Sequence, residues 1–410
     1  MATAVDLTAF NYALKEIYTP DRLEEMYYKT NPLLALIPKA TDFFGEQWIV
    51  PISFNNPQGR SKTFSKAQSN RTSGKGIAFA IKRVRDYGIV NLDNETMEAS
   101  MNDIGAFVRS QKRSIDGIIQ QVTRSLAIGL YRKKSATIGK ISATSSVASA
   151  TITLAETSDI TNFEVDQVLN LSAADGGGSV RVGSVTVLSL DRDAGTITVT
   201  GASWAAGIAA AAVGDFIVVE GDYDAGISGL SDVIPATAPT LGDSFHGVDR
   251  SPDPTRLAGV RVSGTSEPIE EAFVTFISKG HREGAMWSHI FCNHAQWSKL
   301  SKALGAKVQY AEVKPNDKVA WGWTAIVLNG ATGPINVIPD VNCPNTIAFG
   351  LQMDTFLWKS LGPAPKIYDA DGLTMLRASA ADEAEVRVRF YGNVGCFAPG
   401  YNGRLTLPTA

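Results

Sequence analysis

Cysteine and histidine are scarce, with three and four residues respectively in a chain of 410. Cys292, Cys343 and Cys396 lie too far apart to staple a small secreted domain, so a reducing compartment is the expected setting. The only His/Cys grouping is His281, His289, Cys292 and His294. A zinc site needs two close ligand pairs, and His289 and Cys292 would point to opposite sides of a strand, so no metal is expected. Nothing approaches the roughly 20 consecutive apolar residues of a membrane helix, and Met1 to Phe10 carries no basic, then apolar, leader. A soluble protein made in the cytoplasm, with no membrane partner, is therefore expected. Charged residues are 19% of the chain and the net charge is -3, which gives no global drive toward nucleic acid or membrane.

Catalytic signatures are missing too. No Gly-x-Ser-x-Gly elbow is present, and Asp175 with Gly176 to Gly178 lacks the following Lys-Ser/Thr of a phosphate loop. Asp191, Asp193 and Gly195 lack the remaining ligands of a calcium loop and read as a hairpin turn. The expectation is no enzyme, no catalytic residue and no cofactor.

What is present is a chain of changing texture. The start resembles an arm: short helical candidates at Thr8 to Lys15 and Asp21 to Tyr28 are split by Pro20, which cannot continue a helix. Asn31-Pro32 then introduces Leu33, Leu34, Leu36 and Ile37, an apolar patch too short to form a core, expected to dock on its own domain or on a neighbouring subunit. Gln47 to Phe54 reads as a strand, and Ile77, Phe79 and Ile81 alternate with small or basic residues as in a strand with one wet face. Between and beyond them, Arg60 to Arg85 holds eight basic residues and no acidic one. The pattern predicts a long hairpin whose tip lacks a core, with Arg60, Lys62, Phe64, Lys66, Arg71 and Lys75 exposed on it.

From Ser100 or Asp103 to about Lys134, apolar residues at Ile104, Phe107, Val108, Ile115, Ile118, Ile119, Val122, Leu126 and Leu130 trace one helical stripe. Arg132, Lys133 and Lys134 are expected to close it, where the helix dipole favours cations. Composition then shifts to Ala, Ser, Thr, Val and Gly, with short strands punctuated by turns between Ser135 and Glu220, which predicts a separate antiparallel barrel or sandwich. Helices and strands alternate afterwards. Ser266 is read as the cap of a helix with Ile269, Phe273, Phe276 and Ile277 inward, and Asn293 as the cap of His294 to Leu304, stopped by Gly305. Ala384-Glu-Val-Arg-Val-Arg-Phe-Tyr391 alternates as a strand and a short Gly- and Pro-containing tail ends the chain.

The order of these elements resembles the HK97-like capsid fold of tailed-phage major capsid proteins. The most specific local match is Ile290-Phe-Cys-Asn-His-Ala-Gln-Trp297-Ser-Lys-Leu300 through Gly305. Ile338-Pro-Asp-Val-Asn-Cys-Pro344 with Ile347-Ala-Phe-Gly350 and the closing Glu385 to Phe390 support it. The resemblance implies an α+β fold: an N-arm at 1–45, an E-loop hairpin and P-domain strand at 46–95, a P-domain spine helix at 96–136 and an inserted β domain at 137–222. A connecting segment at 223–255, an A-domain at 256–350 and returning P-domain and A-domain strands at 351–410 complete it. It further implies self-assembly into hexamers and pentamers of an icosahedral virion head, assembled in the host cytoplasm around double-stranded DNA. Portal, scaffolding and decoration proteins are the implied further partners. The E-loop residues above, and Leu33, Leu34, Leu36 and Ile37 of the arm, would then be intersubunit contacts, the basic loop lying across acidic residues such as Asp93, Glu95, Glu98 or Asp116 of a neighbour. A nanocompartment shell of the encapsulin type shares the fold and is the alternative; a hydrolase or sugar-binding protein built on the β domain is the rival of another class.

Overall fold

The computed structural model describes residues 31–93, 104–305, 310–313, 323–330, 333–367, 376–377 and 382–409. The helical candidates before Asn31, and Glu95 and Glu98, lie outside the described residues.

A six-stranded sheet is built around one long strand, Glu383–Cys396. Val84–Asp93 runs antiparallel along one edge of it, from Val84 opposite Gly392 to Asp93 opposite Glu383. Phe356–Ser360, Lys366–Ile367 and Leu376–Arg377 pair along the other edge, and Lys39–Ala40 adds in parallel beyond Phe356–Ser360. Strand alternation splits the long strand into two sets: Val386, Val388, Phe390 and Val394 are buried, while Arg387 is exposed and Glu385, Arg389 and Tyr391 are half-buried.

The buried set meets the helix Ile104–Tyr131, a rod of about 42 Å at 1.5 Å per residue. Val122, Leu126, Leu130 and Tyr131 share a core with Val388, Phe390, Phe356 and Trp358. Gly88 lets helix and sheet approach closely, since a Cβ there would stand 2.6 Å from Ile118 Cγ1. The helix stops at Tyr131, three residues earlier than its basic end suggests. The cause is the returning segment around Gly229, which crosses the helix end so closely that a Cβ would fall 2.2 Å from the Gly129 carbonyl oxygen. The Ser231 hydroxyl caps the Tyr131 carbonyl at 2.6 Å. Arg132, Lys133 and Lys134 thus lie beyond the helix.

Six strands between Thr137 and Val219 form a sheet in the order 137–140, 216–219, 168–172, 185–191, 196–199, 151–153. The two edge strands meet through an Ile141–Leu154 bridge, which closes the sheet into a small barrel. Its own core contains Phe163, Leu169, Leu171, Val187, Ile197, Trp204, Ile208 and Ile217. Val180 makes only a single bridge, to Ser172, and Val182 is 80% exposed. The Asp191 turn is as expected: its Oδ1 accepts the Asp193 and Ala194 amides at 3.0 Å each.

A seven-stranded sheet follows, in the order 260–263, 403–406, 347–351, 289–292, 333–339, 323–330, 310–313. The helices Ile269–Arg282 and His294–Leu304 bury Phe273, Phe276 and Leu300 in its core. Asn293 caps the second helix through its side chain, which accepts the Ala295 amide at 3.1 Å. Ser266 does not cap the first, whose N-cap position is Pro268. The Gly- and Pro-containing tail carries the strand Gly403–Thr406, paired with both Val260–Ser263 and Ile347–Leu351 inside this sheet.

Of the two expected dockings of the arm patch, Leu33 and Ile37 take the one within the chain. Pro32–Leu36 is a short helix, and Leu33 and Ile37 are 1% and 3% exposed within the chain's own core, with Leu34 and Leu36 packed against the same cluster. Asn342 Nδ2 donates to Asn31 Oδ1 at 2.9 Å, and Tyr131 donates to the buried Asp340 carboxylate at 2.8 Å beneath it. Leu33 and Ile37 have no surface left for a neighbouring subunit. Their apolar area is satisfied internally because the helix and the long strand together leave a groove of their size.

Candidate assembly surface

The hairpin Gln47–Asn55 with Lys75–Lys82 forms a two-stranded sheet of its own, in register from Gln47 opposite Lys82 to Ile52 opposite Ile77. Two strands alone are marginal in water, so its base must be anchored. Val50, Phe79 and Ile81 are buried against Val248, with Phe245 edge-on to Phe79 at 5.8 Å. Trp48 wedges between Phe43 and Phe397 at 6.5 and 5.6 Å, and the Lys359 ammonium sits 5.1 Å over its ring. Gly395 makes room, since a Cβ there would meet Trp48 Cζ3 at 2.4 Å. At the neck, Arg256 Nη1 donates to the Phe54 carbonyl at 2.8 Å.

Beyond the neck the tip carries a short helix, Phe64–Ser69, in a stretch expected to be irregular, and that helix has no buried residue. Local bonds hold the tip: Gln58 N donates to Thr72 Oγ1 at 2.8 Å, and Arg71 Nε to the Gln68 carbonyl at 3.0 Å. All six residues singled out from sequence are exposed here: Arg60, Lys62, Phe64, Lys66, Arg71 and Lys75. Phe64 is 82% exposed. The helix carries one cation, Lys66, and Arg60, Lys62, Arg71 and Lys75 stand exposed around it.

A complementary feature lies at the free end of the long sheet. Asp93 is opposite Glu383 and Asn91 opposite Glu385, with Asp382 beside them. This juxtaposition could not be found from sequence, because the register of two strands almost 300 residues apart in the chain is a tertiary property. Asp116, the other suggested partner, lies half-buried on the long helix.

The basic residues expected to close the helix have another task. Arg132 meets Asp159 at 2.6 Å and Lys133 meets Asp175 at 2.8 Å, both on the barrel. Asp175 also accepts from the Ser135 and Thr137 hydroxyls at 2.7 Å. Burial raises the Asp175 carboxyl, but the bonds from Lys133, Ser135 and Thr137 outweigh it and hold it below its ordinary value. Arg124, about two turns earlier, pairs with Glu164. The barrel is thereby clamped to the side of the helix.

A cavity of about 350 Å³ lies where strand, helix and barrel exit meet, lined by Asp86, Ser125, Lys133 and Asp222 among others. Burial, with the Asp86 carboxylate adding to it, pushes the Asp222 carboxyl up to about 6. Cys292 is a buried thiol pushed up to about 12 by burial and by Asp340. Among the described residues no group of three or more His, Cys, Asp or Glu could hold a metal ion. Nor is any described helix long and apolar enough to cross a membrane.

No protein-family model matches the chain, and no curated protein matches it in sequence. Solved structures do match. The chain of the cyanophage A-1(L) capsid asymmetric unit superposes with a TM-score of 0.54 at 12% identity, over 96% of each chain. That of the capsid of a native GTA particle gives 0.50 at 9% identity, over 100% of each. The chain therefore has the mixed α and β fold of these capsid chains, the class its sequence resembles.

Proposed function

We propose that the chain is a major capsid protein, whose copies assemble into hexamers and pentamers of an icosahedral shell around double-stranded DNA. In this reading the basic hairpin serves as the E-loop, the long helix and six-stranded sheet as the P-domain, the seven-stranded sheet as the A-domain, and the barrel as an insertion. The observation that carries the reading is the hairpin tip, a cationic platform without a core, bearing an 82% exposed Phe64. Leu33 and Ile37 of the arm patch are internal, while Leu34 and Leu36 are half-buried, so the hairpin takes the main role in joining copies. Its cations suit the acidic free end of a neighbour's sheet at Asp382, Glu383 and Glu385. Each such contact is weak, but many acting together hold a closed shell. No chemical step is needed.

The test is assembly. Purified protein is expected to form polyhedral particles or capsomers by negative-stain imaging and size-exclusion chromatography. The K62E/K66E/R71E variant and Phe64→Ala are expected to stay unassembled, while their unfolding midpoints move by no more than about 0.5 kcal/mol, as for surface substitutions. A wild-type chain that remains a monomer at every concentration overturns the proposal. Particles that hold protein cargo and no nucleic acid would assign it to the encapsulin type instead.

A further inference from the structure

The long helix separates two surfaces of opposite sign. On its one side Val122, Leu126 and Leu130 pack on the sheet. On its other side Ile128 joins the barrel core, and Arg124 and Arg132 pair with barrel carboxylates. The barrel is acidic: between residues 137 and 220 nine acidic residues stand against three basic ones. The face of the sheet turned away from the helix is the reverse. Strand alternation and register place Arg85, Tyr87 and Ile89 beside Tyr391, Arg389 and Arg387, with Lys366 opposite Arg389 on the far edge.

Part of this face is covered by the chain itself, where Trp48 and Ile81 lie over Gly395. The remainder exposes Tyr87 and Ile89 at 55% and 56%. Tyr87 and Tyr391 meet edge-on at 5.8 Å, and the Arg389 guanidinium lies 5.6 Å over the Tyr391 ring. Arg387 pairs with Glu385, the one acidic residue set among the four cations; further along, the face turns acidic at Glu383. The patch thus sets Arg85, Arg387, Arg389 and Lys366 together with Tyr87 and Tyr391 on the sheet face turned away from the helix, whose other side carries the acidic barrel.

We propose that this sheet face is where the subunit meets the phosphate backbone of enclosed double-stranded nucleic acid, the barrel being turned to the outside. The inference rests on the shell reading above. Guanidinium and ammonium groups spread over a plane can neutralise successive phosphates without reading bases, as packing of any sequence requires. The same polyanion would be repelled by the barrel, so charge alone selects which side of the layer faces it.

The experiment compares wild type with the K366Q/R387Q/R389Q variant. Unassembled protein is titrated against a short random-sequence DNA duplex by fluorescence anisotropy over a range of salt. The variant is expected to bind at least about tenfold more weakly at low salt, with a log–log salt slope shallower by about 2 to 3. Its particles should still form by imaging. The K62E/K66E/R71E variant should do the opposite, keeping most duplex affinity while failing to assemble. Because binding is read on unassembled protein, failure of the shell reading and failure of this one are separable. Unchanged affinity and slope in K366Q/R387Q/R389Q overturn the proposal. So do carbodiimide cross-links, in assembled particles, joining Lys366 to a carboxylate of another copy, which would assign the face to protein.

Discussion

Replacing Asp222 by Asn should make the protein more stable at neutral pH, although it removes a charge from the inner part of the molecule. Asp222 sits where the chain leaves the barrel, in the cavity it shares with Asp86 and Lys133. Burial first, and the Asp86 carboxylate second, raise its carboxyl from 3.8 to about 6. A carboxyl raised on folding is held more tightly protonated in the native state. It therefore costs nothing below about pH 4, where both states are protonated, and its full cost is present above about pH 6. At 1.36 kcal/mol per unit, and with a cavity large enough for several waters beside it to ease the charge, that cost is about 1–3 kcal/mol. Asn keeps the shape and drops the charge. Urea unfolding followed by tryptophan fluorescence, which includes Trp204 in the barrel core, should show the variant ahead of wild type by this amount at pH 7.5. The two should converge toward pH 4.5. Combining it with Asp86→Asn should give less than the sum of the single gains, because both remove the same repulsion. Equal stabilities of wild type and Asp222→Asn at pH 7.5, or a gap that widens on acidification, would refute the reasoning.

Two further outcomes follow from the packing. Arg132→Met strands the Asp159 carboxylate, whose only cation within 4 Å among the described residues is Arg132, at 2.6 Å, with both side chains 13% exposed. Loss of about 3 kcal/mol is expected, read as earlier barrel unfolding and faster proteolysis near Lys134, and a loss under about 0.5 kcal/mol would contradict the clamp. Leu33→Ala should cost about 2–5 kcal/mol in the unassembled chain, because the residue fills the chain's own core rather than a neighbour's groove. An effect confined to assembly would restore the intersubunit role first expected of it.

The legible parts of the molecule were those where one local pattern admits one solution. A 3.6-residue stripe from Ile104 onward can only be a helix with one buried face, and Asn293 before His294 can only cap. A run of eight cations without an acid, between two alternating segments, can only be a wet hairpin tip. The helix end was not legible, because it is set by Gly229 crossing from a distance of about one hundred residues in sequence. Nor was the fate of the arm patch. Leu33 and Ile37 carry the same apolar signal whether they fill their own core or a neighbour's, and only the groove left between helix and sheet decides.

By itself, then, the sequence determined the long helix, the Asn293-capped helix and the basic loop, and that no run is long and apolar enough for a membrane-crossing helix, since these depend on neighbours three or four residues away. Tertiary structure alone decided which charges stand together. Asp93 opposite Glu383, Arg389 beside Tyr87, and Asp222 against Asp86 arise from strand register and from the barrel's seating on the helix. Electrostatic energy depends on distance in space, and nothing in the spacing of residues along a chain encodes it.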